Sequence, residues 1–159
     1  GFEPLYIQRI AQLTNKSNQF NLTTLRCSED DIRAMAADAD ALCLCGKLVD
    51  KFGDNGIVTV VAGKRQGDLL DLTLWLMSCR VLKRGMEDAM MDTVVAEAAA
   101  RGVKTIVGHY YPTAKNAMVR EFYAQYDFAK TAEDADGNTE WTLDVAAYTP
   151  KHPHMKIER

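Results

Sequence analysis

The chain has 159 residues, 47% hydrophobic and 26% charged, with a formal net charge of -3 and a pI of about 5.6. That length supports one domain with a real hydrophobic core. The acidic balance argues against a nucleic-acid binder, which carries a basic excess. The lack of any run of about 18 apolar residues argues against a membrane-spanning helix.

Apolar residues at Leu5, Tyr6, Ile10 and Leu13 predict a short amphipathic helix over 2–13, with Pro4 in its first turn. The polar run 14–21 follows as a loop, because Asn and Ser side chains compete for backbone hydrogen bonds. Leu22 to Arg26 is expected as a first strand. Ser28 followed by Glu29, Asp30 and Asp31 marks a helix start that runs to about Asp38. Ala41 to Asp50 alternates as a strand, and Asp54-Asn55-Gly56 predicts a hairpin turn into Ile57 to Ala62. Leu69 to Val81 reads as a long strand able to carry a bulge. Gly85 to Arg101 reads as a helix closed by Gly102. A strand over 103–110 ends at Pro112, and a second late helix is expected over Asn116 to Gln125. Two more strands begin at Phe128 and span Thr139 to Val145, with a turn at Asp136-Gly137-Asn138 between them. Residues 149–159 are expected as a frayed tail.

This order predicts a single α/β (α+β) domain with a mixed, mainly antiparallel sheet and flanking helices. Residues 1–26 form an N-terminal helix, polar loop and first strand, 27–148 the core, and 149–159 the tail. The order resembles the GNAT acyltransferase fold. There, a loop with the pattern R/Q-x-x-G-x-G/A joins a long strand to a helix and binds the coenzyme A pyrophosphate on backbone N–H groups. Gly85 matches the first glycine, whereas Leu82 stands in place of Arg or Gln and Glu87 in place of Gly or Ala. A carboxylate beside a pyrophosphate costs roughly 3 kcal/mol per unit-charge pair at about 5 Å and an effective dielectric of about 20.

Four segments carry a closer resemblance: residues 12–24, 50–56, 75–87 and 111–116. They are similar to the FkbH-like family, the HAD-superfamily subfamily IIIC proteins associated with polyketide synthesis. The resemblance implies a larger protein in which a HAD phosphatase-type half precedes this region. That half takes a glyceryl unit from a glycolytic bisphosphate, removes phosphate and, with Mg²⁺, passes the unit to the thiol of an acyl carrier protein. Its signature is Asp-x-Asp-x-Thr after an apolar strand. Asp38-Ala-Asp40 follows a helical run and lacks the Thr, so phosphatase chemistry is not assigned to these residues.

Candidate site residues follow from this resemblance and from side-chain chemistry. Tyr123 resembles the general-acid tyrosine of GNAT enzymes, and His109 at a strand end is a candidate general base near neutral pH. Arg80, Arg84, Gly85 and Asn116 are candidates to hold the phosphopantetheine of a carrier or, less consistently with Glu87, coenzyme A. Asn15, Lys16, Asn18, Gln19 and Asn21 suit an oxygen-rich substrate, because amides both donate and accept; Glu87 and Lys115 are placed with them. Each has a plain structural alternative: a self-satisfied loop for the Asn cluster, core packing for Tyr123, a helix cap for Asn116.

No metal is expected. Cys27, Cys43, Cys45 and Cys79 make no CxxC pair and have no nearby His, so they read as buried reduced thiols. With no charged-then-apolar leader, the cytoplasm is the default location. The partners expected are an acyl carrier protein and the HAD half, with no nucleic acid and no membrane. The functional expectation is a GNAT-like domain assisting transfer of a glyceryl or related acyl unit onto or from the carrier. The alternatives are an acyl-CoA-dependent N- or O-acyltransferase and a non-catalytic scaffold for the HAD half.

Overall fold

A computed structural model of the chain describes residues 6–16, 21–23, 26–50, 53–77 and 86–148. Its order is α1 (Ile7–Lys16), α2 (Glu29–Ala37), β1 (Ala41–Asp50), β2 (Gly53–Gln66), β3 (Leu69–Met77), α3 (Met86–Ala100), β4 (Thr105–Tyr110), β5 (Ala129–Glu133) and β6 (Thr139–Asp144), with short 3₁₀ turns. The six strands form one sheet in the order β1-β2-β3-β4-β6-β5. Among the described residues only β3 and β4 run parallel; every other neighbouring pair is antiparallel. The expected α+β fold with a mixed, mainly antiparallel sheet is thus present.

Local chemistry explains several boundaries. Ser28 caps α2 with a reciprocal pair of bonds: its hydroxyl accepts from Asp31 N, and the Asp31 carboxylate accepts from Ser28 N. Gly102 follows α3 at φ +78°, a conformation glycine adopts without a Cβ penalty. The sheet buries both faces. Leu70, Leu72, Met91, Val94, Ile106, Tyr123 and Trp141 belong to the larger core, under α3. Ile10, Leu13, Ile32, Val60, Leu74 and Leu76 form a second core under α1 and α2.

A bulge in β3 connects the two cores. Ala62 pairs with Leu74 and Gly63 with Leu72, so Thr73 is an extra residue on β3. Because side chains alternate along a strand, one inserted residue reverses which face each position takes. Leu70 and Leu72 face the α3 core before the bulge, and Trp75 and Met77 do so after it, while Leu74 and Leu76 turn to the other core.

The structure corrects three expectations. Asn55-Gly56 does not form the hairpin turn: it lies inside the β1–β2 ladder, which already pairs Asp50 with Gly53. Lys47 pairs with Ile57 and Val49 with Asp54, so Asn55 and Gly56 together oppose Leu48 in a bulge. The glycine signal was real, but it marks an irregular strand position. No strand forms at 22–26 among the described residues; Asn21 makes one isolated bridge to Leu76. The late helix is replaced by two 3₁₀ turns, Ala117–Val119 and Tyr123–Tyr126. Val119 with Phe122, and Tyr123 with Tyr126, are buried pairs three residues apart. A three-residue turn stacks such pairs on one side, so the tighter winding buries the same apolar set.

Candidate functional site

The parallel pairing of β3 and β4 is short. It runs through Leu69–Thr105, Leu70–Ile106 and Asp71–Val107 and goes no further. Beyond it the two strands have different partners. Leu22 N donates to Trp75 O at 3.1 Å, and Leu22 O accepts from Tyr111 N at 2.8 Å. The 21–23 segment therefore spans from the end of β3 to the end of β4, with Thr23 Oγ1 also donating to Thr73 O at 2.8 Å. Leu22 is fully buried there.

Asn116 secures this bridge. Its Nδ2 donates to Asn21 O at 3.0 Å and to Tyr111 O at 2.9 Å. Its Oδ1 accepts from Thr113 N at 2.7 Å and from the Tyr110 hydroxyl at 3.2 Å. Two donated and two accepted bonds use the whole capacity of an amide. Asn116 is 0% exposed, and a role against a cofactor would require this clamp to open.

His109 and Asp71 have a different character. His109 Nε2 lies 2.6 Å from Asp71 Oδ1, with side-chain exposures of 19% and 35%. An ionised carboxylate only accepts, so Nε2 carries the proton and Nδ1 of the neutral ring is an acceptor. The His109 ring lies 5.9 Å from that of Tyr111, the one exposed large hydrophobic residue among those described. Across the ladder His109 pairs with Glu140. Burial, then the carboxylates of Asp71 and Glu140, raise the Tyr111 phenol above its ordinary value.

Tyr123 lies on the opposite, α3-facing side. Its ring packs so closely on Gly108 that a Cβ there would come within 2.4 Å of it. It also meets Phe128 at 4.8 Å and Phe122 at 5.4 Å, and stands edge-on to Trp75 at 6.4 Å. Burial, reinforced by Asp71, pushes its phenol far up, so it is held as the neutral hydroxyl. Next to it, Trp75 is fully buried, and its indole Nε1 has no hydrogen-bond partner among the described residues. An unpaired buried donor costs about 1–3 kcal/mol, a penalty that a carbonyl oxygen would relieve.

The remaining candidates are dispersed. Asn15 Nδ2 donates to Ala11 O at 2.9 Å and Cys27 O at 3.0 Å, tying the end of α1 to the start of α2. Lys16 is exposed at the end of α1, and Lys115 is exposed beside the Asn116 clamp. Asn21 is buried within the bridge. Glu87 is half-buried in the first turn of α3. Arg80, Arg84, Gly85, Asn18, Gln19 and Cys79 lie outside the described residues. Cys43 and Cys45 share β1, and burial raises the Cys43 thiol to about 11, which keeps it protonated and inert.

Asp71 was missed by the sequence reading. Its signal was present: one carboxylate inside a strand otherwise made of Leu, Trp, Met and a single Thr.

The start of α3 bears on cofactor choice. Glu87 and Asp88 lie in its first turn. Asp88 Oδ1 accepts from the Tyr126 hydroxyl at 2.7 Å, and Asp92 one turn on accepts from the Tyr148 hydroxyl at 2.5 Å. Glu87 and Asp88 add negative charge where a diphosphate would approach this helix end, while residues 82–85 of the loop lie outside the described residues. Among the described residues no group of three or more His, Cys, Asp or Glu is placed to hold a metal. Among the described residues no helix is long and apolar enough to cross a membrane.

Comparison with known proteins shows a GNAT acyltransferase fold. The GNAT domain of S. lividans PAT matches with a TM-score of 0.68 and 16% identity, over 90% of this chain and 87% of that one. The ribosomal-protein-S18-alanine N-acetyltransferase of Escherichia coli matches at 0.66 and 14% identity, over 91% and 90%. The spermidine N-acetyltransferase of Vibrio cholerae, crystallised with CoA and spermine, matches at 0.66 and 9% identity, over 91% and 93%. No family model matches the chain, and no curated protein matches it in sequence.

Proposed function

We propose that this domain is an acyltransferase of GNAT type that handles an acyl thioester carried on the phosphopantetheine arm of an acyl carrier protein, in the manner of the FkbH-like proteins it resembles. The observation that carries this reading is the part-exposed His109–Asp71 pair where β3 and β4 diverge. One face of that divergence holds the pair, which can accept a proton. The other holds Trp75, which is fully buried and whose indole Nε1 has no partner among the described residues.

The acidic start of α3 favours a carrier over free coenzyme A. A carrier-borne arm has a single phosphate, anchored on its own protein, and need not place a diphosphate on this helix. The glyceryl unit and a HAD phosphatase-type partner half belong to the same reading, supported by the sequence resemblance at residues 12–24, 50–56, 75–87 and 111–116.

Calorimetric titration with a holo-carrier and the matching apo-carrier tests the proposal. The holo form is expected to bind at least about tenfold tighter, a difference of about 1.4 kcal/mol. Equal affinity for the two forms would remove the pantetheine arm from the account. A clear rise in melting temperature with acetyl-CoA would favour the acyl-CoA-dependent alternative instead.

A further inference from the structure

We infer that Asp71 is a positioning residue that acts through His109, fixing its ring so that Nδ1 is the atom that takes a proton from the acyl acceptor. The inference rests on the acyl-transfer reading above and adds to it a residue with a specific task.

Three observations support it. The 2.6 Å contact commits Nε2 to the carboxylate and leaves Nδ1 with acceptor character. Asp71 belongs to the last pair in register between β3 and β4, so its backbone is fixed where the strands begin to part. His109 stands two residues further along β4 from Asp71's partner Val107, and therefore on the same face. The helices α1 and α2 cover that face over β1, β2 and the later half of β3. Over β4 and β6 the face carries Val107 together with the half-buried polar residues His109, Glu140 and Thr142.

The charged and titratable groups around the ring are Asp71 from β3, Glu140 from β6 and Tyr111 at the end of β4. Lys64 of β2 stands opposite Asp71 in register and is held by Asp38 at 3.5 Å; the two carboxylates next to the ring stabilise, from two strands, an imidazolium formed during transfer. In the step itself the acceptor atom bonds to the acyl carbon, its proton passes to Nδ1, and the carbon–sulfur bond breaks. The departing thiolate is then protonated by the imidazolium or by water.

The test combines kinetics with a readout independent of activity. With an acyl-holo-carrier as donor, Asp71→Asn is expected to lower kcat about 10- to 100-fold, with KM changed less than about twofold; His109→Ala is expected to lower kcat about 100-fold or more. The double variant should be no slower than His109→Ala alone, because Asp71 acts only through the ring. Asp71→Glu should recover part of the loss. In ¹⁵N-labelled protein a hydrogen-bonded His109 Nε2–H signal should be visible in the parent and absent in Asp71→Ala.

Losses that multiply in the double variant, or an undiminished kcat in Asp71→Asn, would overturn the inference while leaving the acyl-transfer reading intact. Absence of the Nε2–H signal in the parent would overturn the pairing itself. No transfer from any acyl carrier or acyl-CoA by the parent would defeat the reading and, with it, this role for Asp71.

Discussion

Asn116 and His109 lie seven residues apart at the same end of the sheet, and they use polar chemistry in opposite ways. Asn116 is sealed, and all four of its hydrogen-bonding positions are taken by the chain. His109 is part-exposed, and the structure commits one ring nitrogen while the other keeps its acceptor character. A saturated polar group with no access holds architecture together. A half-satisfied one at an accessible edge can exchange a proton. The contrast separates residues that look equally functional in the sequence.

The comparison breaks most sharply at Asn116. Truncation in Asn116→Ala strands Asn21 O, Tyr111 O and Thr113 N together. At about 1 kcal/mol for each bond lost, the expected destabilisation is about 3–4 kcal/mol, measurable by urea unfolding. A loss below about 1 kcal/mol would mean the bridge of residues 21–23 does not depend on this amide. Next in size is Gly108→Ala. The added methyl has to displace the Tyr123 ring, at an expected cost of about 1–3 kcal/mol. An unchanged melting temperature would show that Tyr123 is not seated on β4. Asp71→Asn and His109→Ala are expected to change stability by less than about 1 kcal/mol, because the pair is partly exposed. Stability losses comparable to that of Asn116→Ala would erase the distinction.

The smallest effect concerns alkaline pH. Tyr126 and Tyr148 have phenols raised above their ordinary value of 10.0, by burial first and then by the bonds to Asp88 and Asp92. The folded state favours the protonated phenol. The stabilisation is therefore complete below about pH 10 and is lost as pH rises above it. Tyr126→Phe and Tyr148→Phe should each flatten the alkaline limb of a stability–pH profile while leaving the neutral region nearly level. A limb as steep as the parent's would contradict these assignments.

Much of the fold was legible because its signals are local. The Ser28 cap, the alternation of β1, the helical face of α3 and the break at Pro112 each rest on a few neighbouring residues. Local signals misled where tertiary pairing decides. Asn55-Gly56 announces a turn, yet the β1–β2 register makes it a bulge. Val119 to Tyr126 has helical spacing, yet packing around Trp75 selects two 3₁₀ turns. The site was less legible for the same reason. His109 was visible as a lone histidine, but its partner is 38 residues away on another strand. The amide of Asn116 reaches back 95 residues to Asn21. Neither separation leaves a trace in spacing or composition.

The proposed reaction is transfer of an acyl group from a protein-bound pantetheine arm, with His109 taking the proton. Intact-mass measurement of an acyl-loaded carrier incubated with the chain and an acceptor tests it most directly. With the parent chain the carrier is expected to lose the mass of its acyl group, His109→Ala is expected to slow this about 100-fold or more, and acyl-CoA offered in place of the carrier is expected to stay intact. A carrier mass that never changes, or acyl-CoA consumed as fast as the acyl-carrier, would contradict it.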